Sequence, residues 1–170
     1  IRRILLDPVH IEMLPATEFL LFSAQRAQHV GQVIRPHLAE GGIVLSDRYA
    51  DSSVAYQGYG YEQDPDLLRT ITRFATGSLV PDLTLYFDIP VEVGLERKAG
   101  GGGDAWNRME QKTIAFHERV RTGYLTMAAQ EPSRWAVIDA TDDFDSVQSI
   151  VRDLVAQRQK LKTRQGGGEA

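Results

Sequence analysis

Residues 81–90 read PDLTLYFDIP, a short apolar run with turn-forming residues at both ends. A continuous apolar run of this length is typical of a strand buried on both faces of a parallel sheet. Residues 43–45 (IVL), which lead into SDRY at 46–49, and residues 135–138 (WAVI), which lead into Asp139, have the same form. The three runs predict three parallel strands, each followed by a polar loop.

Segments with the periodicity of a helix separate these runs. Apolar positions recur every three or four residues in the segments 15–40, 64–75, 91–98, 110–130 and 143–159. Asp64, which precedes Pro65, and Asp143 are typical helix starts. The alternation of strands and helices predicts one α/β domain over residues 1–160, with a parallel sheet flanked by helices.

Two glycine-rich segments interrupt this pattern. Residues 100–103 are consecutive glycines, which permit backbone conformations that other residues resist, so they predict a mobile loop. Residues 161–170 contain a second glycine run and predict a disordered tail.

The composition excludes several classes of function. The chain has 170 residues, a formal net charge of -4 and no cysteine. Without a broad cationic field, a nucleic-acid polymer or an anionic membrane is not expected as a partner, and no apolar run is long enough to span a bilayer. The absence of cysteine rules out disulfides, thiolate metal sites and cysteine nucleophiles.

Residues 47–58 read DRYADSSVAYQG and concentrate groups that bind small anions and nucleosides. In open α/β sheets ligands gather at the carboxyl ends of the strands, where Asp47 and Arg48 are expected to lie. The planar guanidinium of Arg48 suits a phosphate, and Asp47 could hold it in place. The alternative interpretation is a structural ion pair in which Asp47 caps the next helix.

Three segments in this order resemble one family. The DRYADSSVAYQG segment resembles the DR(Y/H)xxSSxAYQGxG signature of bacterial thymidylate kinases, LLFSAQRAQH at 20–29 is similar to their base-binding helix, and PDLTLYFD at 81–88 to their next strand. The similarity covers residues 1 to about 159. It implies a fold of the P-loop NTPase or nucleoside monophosphate kinase type. It also implies ATP-dependent phosphorylation of dTMP to dTDP with Mg²⁺ in a cytoplasmic homodimer.

The resemblance also implies roles for the residues that match the family pattern. Phe22 would stack on thymine, and Arg26, one helical turn later, would donate to the base oxygen at C4. An ordinary core aromatic remains the alternative for Phe22. The other implied roles are phosphate binding by Arg48, orientation of the site by Asp47, packing near the sugar by Tyr56, and lining of the nucleotide pocket by Ser52, Ser53 and Gln57.

The glycine-rich segment corresponds to the family's LID, at about residues 99–109, which closes over the ATP phosphates. Phosphoryl transfer depends on cations around the transferred group, and Arg97 and Arg108 are the arginines available in this region. Arg108 lies in NRME at 107–110, which resembles the Asp-Arg-x-Glu run of family members whose LID supplies the catalytic arginine. For both residues a solvated surface arginine is the alternative.

The sequence departs from the family at the ATP site. Residues 1–170 contain no Gly-x-x-x-x-Gly-Lys-Ser/Thr motif, and Tyr61 stands where bacterial members usually carry arginine. We therefore expect an amino-terminally truncated chain that lacks the first two strands, carries the dTMP site and the LID, and is inactive and unstable by itself. The open alternatives are a related nucleoside or nucleotide kinase with another acceptor, and a non-catalytic nucleotide-binding or dimerisation module.

Overall fold

The computed structural model describes residues 1–7, 9–100 and 112–166, with residues 161–166 as backbone only. The chain divides into two compact units. One comprises Ile1–Val80 and Val91–Tyr124, and the other comprises Pro81–Pro90 and Leu125–Ala170.

The secondary-structure elements in the described part of the first unit are all helices. Its elements are α1 (Arg2–Leu6), α2 (Pro15–His29), a π-helical segment π1 (Val30–Ile34), α3 (Arg35–Ala39), α4 (Ala50–Ser53), a π-helical segment π2 (Val54–Gly60), α5 (Pro65–Thr76), α6 (Val91–Gly100) and the greater part of α7 (Ile114–Gln130). Helical backbone continues from Pro15 to Ala39, which confirms the helix predicted over 15–40.

Helix α5 shows why the sequence signals at its ends were informative. The Asp64 carboxylate accepts hydrogen bonds from the backbone N–H groups of Asp66 (2.9 Å) and Leu67 (3.4 Å), and Pro65 occupies the first turn. The helix ends at Gly77, whose φ of 57° lies in the left-handed region that glycine adopts without a steric cost. The predicted helix start at Asp64-Pro65 is confirmed.

Close packing joins α7 to π2. A Cβ atom at Gly60 would lie 2.7 Å from the Phe116 ring, and one at Gly123 would lie 2.6 Å from the Tyr59 ring. The Gly60 carbonyl also accepts hydrogen bonds from Arg119 Nε at 3.0 Å and Nη2 at 2.9 Å. Glycine at these two positions therefore lets π2 approach α7 closely, which fixes the position of the DRYADSSVAYQG segment.

The second unit contains a parallel two-stranded sheet. Strand β1 (Thr84–Asp88) pairs with β2 (Trp135–Asp139) in register from Thr84 opposite Trp135 to Asp88 opposite Asp139. Two of the three predicted strands and their parallel pairing are thus confirmed. Helix α8 (Phe144–Gly166) follows, and the Asp143 carboxylate accepts hydrogen bonds from Ser146 at its start.

The predicted strand at 43–45 is wrong. No strand is assigned there, and the side chains of Ile43 and Leu45 are 68% and 92% exposed. A strand is defined by ladder hydrogen bonds, and β1 and β2 pair only with each other among the described residues. Residues 43–45 are therefore part of the loop between α3 and α4.

Other expectations fall at the edges of the described chain. Helix α8 continues past Gln159, where the pattern predicted its end, to Gly166. The predicted disordered tail falls partly on this helix and partly on residues 167–170, which lie outside the described residues, so it stays a prediction. The LID prediction includes residues 101–109, which also lie outside them. None of the described helices is long and apolar enough to cross a membrane.

We predict that the 170-residue chain alone unfolds without a cooperative thermal transition. A two-stranded sheet is marginal, and large apolar side chains such as Leu45 and Phe74 are exposed. The measurement is thermal denaturation followed by circular dichroism, with a form extended upstream in its coding sequence (the extended protein) as the control. A sharp transition of the 170-residue chain would show that the expectation of instability is wrong.

Candidate functional site

Two hydrogen bonds connect α2 to the segment formed by α4 and π2. Arg26 Nη2 donates to Ser53 Oγ at 2.8 Å, and Gln57 Nε2 donates to Glu18 Oε1 at 2.6 Å. Along α2, Glu18 comes before Arg26. Gln57, the partner of Glu18, comes after Ser53, the partner of Arg26, so the two segments run in opposite directions. Phe22 lies four residues from Glu18 and four from Arg26, so it shares their face of α2 between the two bridges.

The guanidinium of Arg26 is held at the centre of this arrangement. Its Nη2 also donates to the Tyr49 carbonyl at 3.3 Å, and its Cζ lies 5.8 Å from the Tyr49 ring centroid. Burial lowers the pKa of Arg26, against the opposing effects of Tyr49 and Asp51, yet an arginine remains charged at neutral pH. Arg26 Nη1 is buried and has no hydrogen-bond partner among the described residues.

The hydrogen bond between Gln57 and Glu18 is almost completely buried. Glu18 is 0% exposed and Gln57 is 1% exposed. Gln57 presents its amide NH₂ to Glu18 Oε1, and its carbonyl Oε1 therefore faces elsewhere. Gln57 Oε1 is buried without a partner among the described residues, as is Ser23 Oγ on the preceding turn of α2 from Arg26.

Arg48 has a strained backbone. Its φ of 63° lies in the left-handed region, which is costly for a residue with a Cβ atom. Ser46 Oγ donates to the Arg48 carbonyl at 2.8 Å and thereby stabilises the turn. The Arg48 Cζ lies 4.9 Å from the Tyr56 ring centroid, a cation–π distance. The strained turn and the aromatic ring together fix the direction of this cation.

An aromatic layer supports Tyr56 from α7. The Tyr56 ring contacts Phe116 and Tyr124 edge to face, with centroids at 6.1 Å and 6.5 Å. The Tyr124 hydroxyl donates to Ser52 Oγ at 2.7 Å, and burial raises the pKa of this phenol. Tyr61 packs on Phe116 at 4.9 Å, and its hydroxyl donates a long hydrogen bond of 3.5 Å to Glu18 Oε2.

The structure brings most predicted site residues together, in a different setting from the one expected. Arg26, Ser52, Ser53, Tyr56 and Gln57 lie on facing elements, with Phe22 half-buried on the same face of α2. Ser53 holds Arg26, and Ser52 accepts from Tyr124, so both hydroxyls already have protein partners.

Asp47 and Arg48 do not lie at the end of a strand, because the strand at 43–45 is absent. They lie in the loop that leads into α4. The alternative in which Asp47 caps that helix does not apply either, since Tyr49 occupies the cap position and no side-chain cap hydrogen bond is formed. The position of Arg48 therefore depends on its own turn and on Tyr56.

Of the two predicted catalytic arginines, only Arg97 lies among the described residues. Arg97 is exposed on α6. Arg108 lies outside the described residues.

Glu18 and Tyr124 were missed by the sequence analysis. A signal for Glu18 existed, because it precedes Phe22 and Arg26 at four-residue spacing on an otherwise apolar face. Tyr124 had no such local signal, since it lies 72 positions from its partner Ser52.

A shallow recess of about 310 Å³ lies elsewhere on the first unit. Its lining residues are Gly58, Tyr59, Glu62, Gln63, Pro65, Arg119 and Thr122. None of the predicted site residues belongs to this lining, so the convergence of polar groups on α2 and π2 identifies the candidate site better than the recess does.

We predict that the Tyr124→Phe variant loses less stability at alkaline pH than the unmodified protein does. Because burial raises the pKa of Tyr124 above its ordinary value of 10.0, the folded protein resists ionisation that the unfolded chain accepts. Stability is therefore retained below pH 10 and lost as the pH rises above it. The free energy of unfolding of the extended protein should fall between pH 9 and pH 11 by about 1 kcal/mol less in the variant. Equal losses in urea titrations would contradict the assignment.

Comparisons with known proteins agree with the resemblance of the motifs. A family model described as thymidylate kinase matches residues 1–151. The chain is 50% identical to a thymidylate kinase of Roseiflexus castenholzii over 166 residues, which cover 91% of this chain and 72% of that protein. It is 50% identical to one of Nitratidesulfovibrio vulgaris over 165 residues, covering 92% and 77%, and 46% identical to one of Geobacter sulfurreducens over 162 residues, covering 93% and 76%. On the match across residues 1–151 and these identities, the chain belongs to the thymidylate kinase family.

Proposed function

We propose that the protein transfers the γ-phosphoryl group of ATP to dTMP, and that α2, α4 and π2 form the dTMP site. In this reaction an oxygen of the dTMP phosphate attacks the γ-phosphorus, the bond to the β-phosphate oxygen breaks, and ADP leaves. Family membership supports the reaction. The observation that carries the site is the pair of buried atoms without partners, Arg26 Nη1 and Gln57 Oε1.

The two atoms are complementary to one edge of thymine. A buried donor or acceptor without a partner costs about 1–3 kcal/mol, so their persistence together favours a ligand that satisfies both. Arg26 offers a donor and Gln57 an acceptor. Thymine presents the acceptor O4 beside the donor N3–H. Cytosine instead presents a donor at C4 and an acceptor at N3. Phe22, on the same face of α2, would then stack on the base.

Arg48 is the proposed phosphate ligand. Its left-handed turn and its position over Tyr56 hold the guanidinium beside α4, whose following segment carries Gln57. A bidentate arginine–phosphate contact is strong and directional, which gives a reason for the strain at this residue. Asp47 would orient Arg48, and Tyr56 would pack near the sugar, with Ser52 and Ser53 acting through Tyr124 and Arg26.

The remaining parts of the reaction are proposed from the family alone. Residues 99–109 would form the LID, and Arg108 with Arg97 would stabilise the transferred phosphoryl group. Residues 1–170 contain no P-loop, so the ATP phosphates would bind to sequence outside them. The described residues contain no group of three or more His, Asp or Glu side chains able to hold a metal ion, so we assign no Mg²⁺ ligand. A cytoplasmic homodimer is also proposed by analogy.

The test is dTMP binding by calorimetry to the 170-residue chain and to the extended protein, together with ATP-dependent formation of dTDP. We expect the extended protein to bind dTMP and to form dTDP, and Arg48→Ala to weaken binding by about tenfold to a hundredfold. A folded extended protein that ignores dTMP would refute the proposal.

Competition with other nucleotides separates the alternative acceptors. dCMP should compete poorly, because both of its edge groups oppose those of Arg26 and Gln57. dGMP presents the same acceptor–donor pair as thymine on a larger ring, so it tests whether the site excludes a base of that size. Tight binding of dCMP or dGMP would instead indicate a kinase with another acceptor, and dTMP binding by the extended protein without phosphoryl transfer would indicate a binding module.

Arg48→Gly and Arg48→Ala should separate strain from function. Both remove the guanidinium and should lose dTMP affinity equally. Only glycine relieves the left-handed φ, so Arg48→Gly should be more stable than Arg48→Ala by about 1 kcal/mol in urea unfolding of the extended protein. Ser78, with a φ of 61°, is the matched control. Ser78→Gly should exceed Ser78→Ala in stability by a similar amount, with dTMP affinity unchanged in both. Equal stabilities within the Arg48 pair would show that its turn is unstrained.

A further inference from the structure

We propose that Glu18 is a positioning residue that selects bases with an N–H at ring position 3, by fixing which end of the Gln57 amide faces the ligand. This inference rests on the proposed dTMP site and adds a specificity determinant to it. Glu18 itself does not contact the base. It acts through the hydrogen bond of 2.6 Å that its Oε1 accepts from Gln57 Nε2.

A glutamine amide has a donor end and an acceptor end of nearly the same shape, so its environment decides which end faces a ligand. In this site the environment is a buried carboxylate. If the amide turned over, Gln57 Oε1 would face Glu18 Oε1, the oxygen that now accepts from Nε2 at 2.6 Å, and this hydrogen bond would be lost. Glu18 therefore keeps the acceptor end of Gln57 turned away from itself.

The location of the carboxylate supports this role over a purely structural one. Glu18 is 0% exposed and lies on the same face of α2 as Phe22 and Arg26. A buried carboxylate is costly unless hydrogen bonds compensate for its desolvation. Its contact with Gln57 leaves the far end of that amide, Oε1, buried without a described partner. Glu18 thus fixes the direction of an amide whose oxygen has no donor among the described residues.

The consequence is a choice between bases. With Oε1 presented, Gln57 can accept the N3–H of thymine or uracil and repels the N3 lone pair of cytosine. With the amide turned over, the preference would reverse at this position. Glu18 therefore determines the sign of the selectivity, while Gln57 makes the contact.

The test compares dTMP with 5-methyl-dCMP, which keeps the 5-methyl group but has an acceptor at N3 and an amino group at C4. Calorimetry on the extended protein gives the two dissociation constants and their ratio. We expect the unmodified protein to prefer dTMP by at least about tenfold, because N3 of the analogue brings a lone pair towards Gln57 Oε1. In Glu18→Gln, whose amide can accept or donate, the Gln57 amide is no longer fixed and can donate to N3 of the analogue, so this preference, measured as the ratio, should fall.

Two further variants separate positioning from general damage. Glu18→Gln combined with Gln57→Glu exchanges the two groups, keeps one amide–carboxylate hydrogen bond and again presents an oxygen to the base, so the ratio should recover. Tyr61→Phe removes only the hydroxyl that donates to Glu18 Oε2 and should keep the ratio. A loss of packing alone would weaken both ligands equally and leave every ratio unchanged.

The outcomes distinguish this inference from the proposed function. If the unmodified extended protein does not bind dTMP, the proposed function fails. If it binds dTMP but does not prefer it over the analogue, or if Glu18→Gln keeps the preference, the role of Glu18 is overturned while the dTMP site stands. If Glu18→Gln does not fold, the exchanged double variant decides, and a folded double variant without the preference overturns the proposal.

Discussion

The hydrogen bond between the buried Glu18 carboxylate and the Gln57 amide is the interaction on which the candidate site depends. A carboxyl group that is removed from water must be hydrogen-bonded, so the positions of the surrounding groups are tightly constrained. Together with the contact between Arg26 and Ser53, it connects α2 to π2 at two points. Phe22 lies between these points along α2, and Arg26 Nη1 and Gln57 Oε1 are buried without a partner among the described residues.

The rest of the first unit keeps this arrangement rigid. Glycine at positions 60 and 123 allows π2 and α7 to approach at distances that a Cβ atom would forbid. The aromatic side chains of α7 then support Tyr56 from behind, and Tyr56 supports Arg48. A strained arginine turn is tolerated only where its surroundings over-determine it, and this succession of contacts provides such surroundings. The packing of α7 thus supports the candidate site, whose predicted residues lie on other elements.

Tyr61 shows how a departure from the family pattern is accommodated. Bacterial members usually carry arginine at this position, and this chain carries a neutral phenol. In the structure the Tyr61 ring packs on Phe116, and its hydroxyl points to the Glu18 carboxylate. A neutral donor replaces a cation there, and its long contact of 3.5 Å is to Oε2, not to the Oε1 that accepts from Gln57.

The sequence by itself determined the longer helices, two parallel strands and the family, but not the helical form of α4 and π2. Helix caps, apolar periodicity and the DRYADSSVAYQG segment are local signals, and local signals survive without knowledge of distant contacts. The strand that the sequence predicted at 43–45 is absent, because a strand needs a partner and apolar residues alone do not supply one. Only the tertiary structure showed that Glu18 and Tyr124 belong to the site. Their partners, Gln57 and Ser52, are 39 and 72 positions away in the chain, and the orientation of a buried amide follows from such contacts and not from the order of residues.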